Sequence, residues 1–538
     1  MTPAPDLRPA AEAVARARAV VEETARHLAA TGGVDANQVV AYDLAHAAAA
    51  LHSAVTMLNY GAGGEVEARL AGAFAADAVH DLTARVAGRE QAWGIEAGAL
   101  EEARAAVAPW RDPPFLAGLA TEPGPRHLDA DFELVQDTFR RFAEDRIRPV
   151  AEHVHRANAD VPEDVIAGLA ELGGFGLSVP EEYGGFAAGG ESDYMGMVVA
   201  TEELARASLG VGGSLITRPE ILARALVKGG TEEQKHRWLP LLASGQAMAA
   251  VAVTEPDFGS DVAGIKVTAT RRGDGWAVNG VKTWCTFAAR ADVLMLLART
   301  DPDPAAGHRG LSLFVVPKER AEGSGFVLTQ PGGGRLEGRP IDTIGYRGMH
   351  SYELAFADWL VPADGLIGGD EGEGRGFYLQ MEGFENGRLQ TAARAVGLMQ
   401  AAYEADVAYA AERVVFGRPV LDYQLTGVKL GRMAALVQAA RQTMYQVARL
   451  MAKGEAGPER PSERGAGLEA SMVKASVCRA AEWVTREAMQ VHGGMGYAEE
   501  FPVSRYFVDA RVLSIFEGAD ETLALKVIAR RLLEQAAA

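Results

Sequence analysis

Between about residue 247 and residue 365 the apolar pattern of this chain changes period, and that change limits the available folds more than any other feature. On either side apolar residues return every three or four positions, the spacing of one helix face. Inside, runs such as "KVTAT", "WAVNGVKTW", "VLMLLART", "LSLFVVP" and "YELAFADW" alternate or stay briefly apolar, as strands do. A β domain of modest size is therefore expected between two helical regions. Asn279 and Gly280 lie between alternating residues and predict a hairpin turn, since both tolerate the positive φ of the favoured two-residue turns.

The flanking regions are mainly α. Val40, Leu44, Ala47, Leu51, Ala54 and Leu58 step by four and three along one helix face. Leu430, Met433, Val437, Ala440, Met444, Val447 and Met451 do the same, and such a seam belongs to a bundle core rather than a cofactor site. The stretch "RDPPFLAGLATEPGPRHL" reads as a linker, because its prolines remove backbone donors and its glycines break the period. The expected domains are 1–120 (an N-terminal helical extension), 121–246 (helical), 247–367 (β) and 368–538 (a helical bundle). A loose parallel between "VEARLAGAFAADAV" and "LEASMVKASVCRAA" admits a worn internal copy, although alanine-rich helices resemble one another by composition.

Charge narrows the function classes. With 53 Lys plus Arg against 72 Asp plus Glu, the formal net charge of −19 disfavours a nucleic-acid binder or an anionic-membrane binder. Cys285 and Cys478 are too few for a disulfide framework or a cysteine-rich metal site, and no metal is expected. That count suits a reducing cytoplasm. The N-terminal residues lack the apolar stretch of a signal peptide, and no apolar run approaches the ~20 residues that cross a bilayer. "GEGRG" at 372–376 lacks the strand, turn and helix of a dinucleotide fingerprint and reads as a turn.

Near the C-terminus "SIFEGADETLAL" interrupts its own helical period. Gly518 permits a sharp bend, which places Glu517 at the bend rather than along a helix face. Taken alone, a Glu beside a Gly is an ordinary loop residue.

Five stretches in order change that reading: "AVAVTEPDFGSDVAGIKVTAT", "WAVNGVKTWCT", "YAAERVVFGRPVLDYQ", "QVHGGMGY" and "IFEGADETLALKVIARRLL". Together they resemble the acyl-CoA dehydrogenase family of flavoproteins over roughly residues 130–538. The resemblance implies a helical domain, a middle β domain and a C-terminal four-helix bundle. It also implies FAD, an acyl-CoA substrate, electron-transfer flavoprotein as partner, and a homodimer or homotetramer. "DTIGYRGMHSYELAF", "MEGFENGRLQTAARAVG" and the long extension resemble a branch acting on a short branched dicarboxylic acyl-CoA. Another short-chain or branched-chain acyl-CoA dehydrogenase, an acyl-CoA oxidase and a non-catalytic scaffold of the same fold are the alternatives.

By the same resemblance Glu517 is the base that takes the substrate's α proton. Some branches place the base just before an Arg matching Arg388, but here that residue is Gly387, which cannot abstract a proton. Thr254 and Thr286 would bond the flavin ring, Trp284 would pack beside it, and Ser260 would contact the pyrophosphate. Arg413, Phe416 and Gln424 match positions that hold FAD from a neighbouring subunit, and Gln490, Gly493 and Gly494 match the adenosine side. The chain departs from the family at Ala519, where many members carry Thr, and at Gly212, where the glutaryl-CoA branch has an Arg for the distal carboxylate. Arg218, Tyr346, Arg347, His350 and Arg388 are the remaining candidates for substrate contact.

Overall fold

The computed structural model describes residues 5–321, 324–455 and 466–538. Contacts group the chain into two compact units, Met1–Gln136 with Thr391–Ala538, and Asp137–Gln390. The main helices, numbered in chain order, are α1 (Arg8–Ala30), α2 (Gln38–Tyr60), α3 (Glu65–Val86), the short α4 (Pro113–Ala117), α5 (Arg148–Ala157), α6 (Glu191–Ala207), α7 (Thr217–Gly229) and α8 (Glu232–Ala243). After the strands come α9 (Gly376–Glu412), α10 (Gln424–Glu455), α11 (Ala466–His492), α12 (Pro502–Leu513) and α13 (Arg530–Ala537).

In the first unit the apolar faces read from the sequence are the buried ones. Val40, Leu44, Ala47, Leu51 and Ala54 of α2 are all within the core, as is the whole α10 seam from Leu430 to Met451. The N-terminal helices do not form a core of their own. Val14 and Leu28 of α1, Leu44 and Leu51 of α2, and Val79 and Leu82 of α3 share one apolar cluster with Leu468, Met472 and Ala475 of α11 and with Ala524, Ile528 and Leu533 near the C-terminus.

The proline-rich stretch after residue 110 is not a free linker. Pro113 and Pro114 start the short α4, where a missing N–H costs nothing. The helix then packs so closely on α10 that a Cβ at Gly431 would stand 2.0 Å from the main-chain oxygen of Leu116. Further on, Tyr403 donates to Ala120 O at 3.0 Å and Tyr60 donates to Pro125 O at 2.9 Å. Main-chain carbonyls of this stretch thus serve as acceptors for side chains of α2 and α9.

The second unit holds an eight-stranded sheet of β1 (Ala249–Ala252), β2 (Thr268–Arg272), β3 (Gly275–Thr286), β4 (Val293–Arg299), β5 (Leu311–Pro317), β6 (Phe326–Thr329), β7 (Arg335–Ile341) and β8 (Ser351–Val361). Its order is β1-β4-β2-β3-β8-β7-β6, with β5 beside β4. Val293, Met295, Leu297, Leu313 and Val315 pack on Leu222 and Leu226 of α7 and Leu239 and Leu242 of α8. A capping box starts α8: Gln234 N donates to Thr231 Oγ1 at 3.3 Å and Thr231 N to Gln234 Oε1 at 3.0 Å. The Gln234 amide also donates to Asp364 O and Leu366 O, tying the helix to the chain beyond β8.

The expected Asn279-Gly280 hairpin is corrected. Both residues lie inside β3, and the β2–β3 turn falls at Gly273 and Asp274. Gly280, at φ +127°, forms a register shift against β8. Asn279 pairs its amide with Asp358, donating to the carboxylate at 3.1 Å and accepting from the Asp358 N–H at 2.9 Å. A residue pair that tolerates positive φ serves a bulge as well as a turn, and the partner strand decides which.

Candidate active site

At the end of α12 the N–H groups of Ile515 and Phe516 both donate to Val512 O, at 2.9 and 3.0 Å, and the chain then leaves the helix. Glu517 takes φ +52° and Gly518 φ +99°, so the bend needs two successive left-handed residues, one of which carries a side chain. Such a conformation costs about 1–3 kcal/mol for a non-glycine residue and persists only where its surroundings impose it. Three contacts do so. Asp520 N donates to Ser514 O at 3.1 Å, Lys474 Nζ to Gly518 O at 2.6 Å, and the buried Arg394 guanidinium lies 4.9 Å from the Phe516 ring. A π-helical stretch, Leu523–Ala529, follows the bend. Glu517 itself is half-buried.

Five of the residues singled out from the sequence share this unusual backbone: Trp284, Tyr346, His350, Phe416 and Glu517 all have positive φ. Local strain concentrates at working sites.

In the second unit, Trp284 sits on β3 where the pairing to β8 shifts register between Lys282 and Cys285. The bulge turns its ring outward, 55% exposed, while the neighbouring Thr286 stays buried with its hydroxyl 3.0 Å from that of Ser351. Thr254 O accepts from Thr283 N at 2.8 Å, so the "VTEPDFG" segment lies along the same strand. Glu255 and Phe258 exchange two main-chain hydrogen bonds at 3.1 Å, closing a tight turn beyond which Ser260 is exposed. An outward indole beside threonine side chains suits a planar, hydrogen-bonding ring.

The set expected to reach a neighbouring subunit lies on the surface of the first unit. Tyr409 stacks on His492 at 4.2 Å, which brings the end of α9, with Arg413 beyond it, beside the end of α11, with Gly493 and Gly494 beyond it. Below the stack Asp406 Oδ1 is 2.9 Å from His492 Nδ1, and burial pushes the Asp406 carboxyl up to about 6 against the opposing pull of His492. Arg413, Gln424 and Gln490 are exposed, and Phe416 is 94% exposed. A Cβ at Gly493 or Gly494 would meet nothing within 4 Å in this chain.

The substrate candidates divide. Tyr346, Arg347 and His350 occupy the β7–β8 connection, which is pinned to the end of β3 because Phe287 N donates to Met349 O at 3.1 Å and His350 O at 2.8 Å. Arg347 donates to Thr343 O and His155 O, and His350 Nε2 lies 3.3 Å from Asp160 Oδ1, so both hold the loop in place. Gly212 is a packing position: a Cβ there would stand 2.6 Å from Ile147 Cδ1. Arg218 is buried on α7 and Arg388 is half-buried on α9. Burial pushes the Cys285 thiol up to about 12 against the charges of Lys282 and Arg218.

Several residues escaped the sequence reading. Lys282, fully buried, donates to Glu255 Oε1 and Val253 O at 2.8 Å each, and Glu255 accepts from Lys266 N and Val267 N. This pair binds the Thr254 segment to the strand of Trp284. Burial pushes the Lys282 ammonium down to about 8 while Glu255 pulls the other way. Glu220 on α7 is likewise buried and accepts from Ser178, Asn386, Gln390 and Arg224. A charge inside an otherwise apolar strand pattern, as in "GVKTW", was the available signal for Lys282. Among the described residues no group of three His, Cys, Asp or Glu could hold a metal ion, and no helix is long and apolar enough to cross a membrane.

Family descriptions of the acyl-CoA dehydrogenase N-terminal, middle and C-terminal domains match residues 129–246, 250–359 and 374–533. The chain is 43% identical to (2S)-methylsuccinyl-CoA dehydrogenase of Cereibacter sphaeroides over 82% of its own length and 76% of the relative's. It is 34% identical to an acyl-CoA dehydrogenase of Bacillus subtilis (strain 168), over 76% and 99% of the two chains. A glutaryl-coenzyme A dehydrogenase structure with glutaryl-CoA superposes with TM-score 0.68 at 30% identity, covering 76% of this chain and 96% of that one. With matched domains over most of its length, this chain belongs to the acyl-CoA dehydrogenase family of FAD-dependent oxidoreductases.

Proposed function

We propose that this acyl-CoA dehydrogenase oxidises (2S)-methylsuccinyl-CoA to mesaconyl-CoA, passes the electrons to electron-transfer flavoprotein, and serves the ethylmalonyl-CoA pathway in the cytoplasm. The observation that carries the choice of acyl group is the 43% identity to (2S)-methylsuccinyl-CoA dehydrogenase, against 34% for the Bacillus subtilis acyl-CoA dehydrogenase. A polar interior supports it. Thr201 Oγ1, Thr217 Oγ1, both amide atoms of Gln380 and Asn386 Oδ1 are buried with no hydrogen-bond partner among the described residues. Buried polar atoms without a protein partner favour a polar group in the ligand over a plain alkyl chain, and Arg218 and Arg388 are the proposed partners of a distal carboxylate.

Bound FAD supplies the hydride acceptor that no side chain offers. Glu517 takes the proton from the α carbon, and its own backbone N–H is a donor for the thioester oxygen onto which the charge spreads. As the β carbon gives up its hydride, the α,β double bond forms and both electron pairs are accounted for. Trp284, Thr254 and Thr286 would hold the flavin ring and Ser260 its pyrophosphate. Arg413, Phe416, Gln424, Gln490, Gly493 and Gly494 would serve the cofactor of a second copy, and the working form would be a homodimer or homotetramer.

The test is anaerobic mixing of the purified holoprotein with CoA esters. Methylsuccinyl-CoA should bleach the flavin and butyryl-CoA should not. Equal bleaching by both would remove the substrate assignment. Rapid recolouring in air would mark an oxidase, and a colourless protein that cannot be reconstituted with FAD would mark a scaffold.

A further inference from the structure

We propose that Asp520, gripped by Tyr42 and His46 of α2, is a positioning residue for Glu517, so that the N-terminal helices set the geometry of proton abstraction. The inference rests on Glu517 being the base.

Tyr42 donates to Asp520 Oδ2 at 2.5 Å across 478 residues of sequence, and His46 Nε2 lies 3.2 Å from the same oxygen. The Tyr42 and His46 rings meet edge to face at 4.6 Å, and Arg479 of α11 donates to the Tyr42 hydroxyl at 2.7 Å while standing 3.5 Å from the Asp520 carboxylate. Asp520 is 8% exposed, so these contacts act with little competition from water.

Asp520 is also the residue whose N–H closes the bend onto Ser514 O. Its side chain is therefore fixed to the N-terminal helices while its main chain fixes the loop that carries Glu517. The two anchored positions, Gly518 (held by Lys474) and Asp520, are separated only by Ala519, and Glu517 directly precedes the first of them. A left-handed Glu relaxes toward ordinary backbone once either anchor slackens, which swings its carboxylate away from the substrate carbon. Misplacement of a reacting group by about 1 Å costs on the order of a hundred-fold in rate.

The experiment uses full-length, FAD-loaded Tyr42→Phe, Asp520→Asn and Glu517→Gln proteins, with methylsuccinyl-CoA as the probe. Two readouts are taken: the concentration dependence of anaerobic flavin bleaching, and deuterium uptake by the peptide spanning residues 514–520. Y42F and D520N should lower the limiting bleaching rate about ten-fold or more. The half-saturating concentration should stay within about two-fold, and uptake should rise in the 514–520 peptide but not in α10. Wild-type rate and uptake in both variants, beside an inactive E517Q, would overturn the positioning role and leave the base in place. Near-normal bleaching by E517Q would instead remove the base, and the proposal with it. Should D520N not fold, Y42F decides, since it removes one hydroxyl and keeps every ring contact.

Discussion

Lys474, fully buried on α11, donates from Nζ to the main-chain oxygen of Gly518 at 2.6 Å, so an ammonium group holds the peptide that follows Glu517. The bend is thus fixed in part by contacts made through its backbone, at Gly518 O and Asp520 N. Glu517→Gln keeps the shape and removes the proposed base. It should retain bound flavin and slow anaerobic bleaching by at least about a hundred-fold, as stopped-flow absorbance will show.

Gly518 has a second constraint. At φ +99°, a Cβ would stand 2.9 Å from Leu523 Cδ2, at the start of the π-helical stretch. Gly518→Ala combines backbone strain with a clash and should cost about 1–2 kcal/mol in urea unfolding of the full chain, together with slower bleaching. A variant as stable and as fast as the parent would contradict the strained bend.

Asp520 gives the clamp a pH signature. Burial raises its pKa, but contacts with His46, Tyr42 and Arg479 outweigh burial and bring it from 3.8 down to about 2. A carboxylate depressed in the folded state contributes stability above its unfolded pKa and loses it as pH falls through the folded value. The contribution is on the order of 2 kcal/mol, full above pH ~4 and gone near pH ~2. The stability difference between the parent and Asp520→Asn should therefore shrink as pH falls from about 4 to about 2, measured by denaturant midpoints at each pH.

Lys282 and Glu255 stand as a buried ion pair at 2.8 Å. Lys282→Met leaves Glu255 charged and without its ammonium, and should cost about 3–5 kcal/mol. The double change Lys282→Met with Glu255→Gln should recover part of that loss. Flavin retention in both proteins will report whether the Thr254 segment stays on its strand.

The N-terminal helices share their core with α11 and the C-terminal residues. Removing residues 1–110 would uncover that apolar surface, so the truncated chain should aggregate or lose its flavin instead of yielding a smaller enzyme. Size-exclusion mass and the visible spectrum of the product check this.

The sequence alone made the helix and strand content legible where local period and burial coincide, as along α10 and in β4 and β5. Glu517 was singled out by the family resemblance of five motifs in order, since a Glu beside a Gly is by itself an ordinary loop residue. Sequence alone misread Asn279-Gly280 and the Pro113-Pro114 stretch, since glycine and proline state what a backbone can do and neighbours decide what it does.

What the linear order determined by itself is therefore the set of elements and the chemistry each can carry, through spacing and side-chain type. Tertiary structure alone decided that Tyr42 meets Asp520, that Lys282 meets Glu255, and that the first helices complete the core of the last. Those pairings join residues far apart in the chain, and each was selected by which desolvated charge or apolar face another element could satisfy.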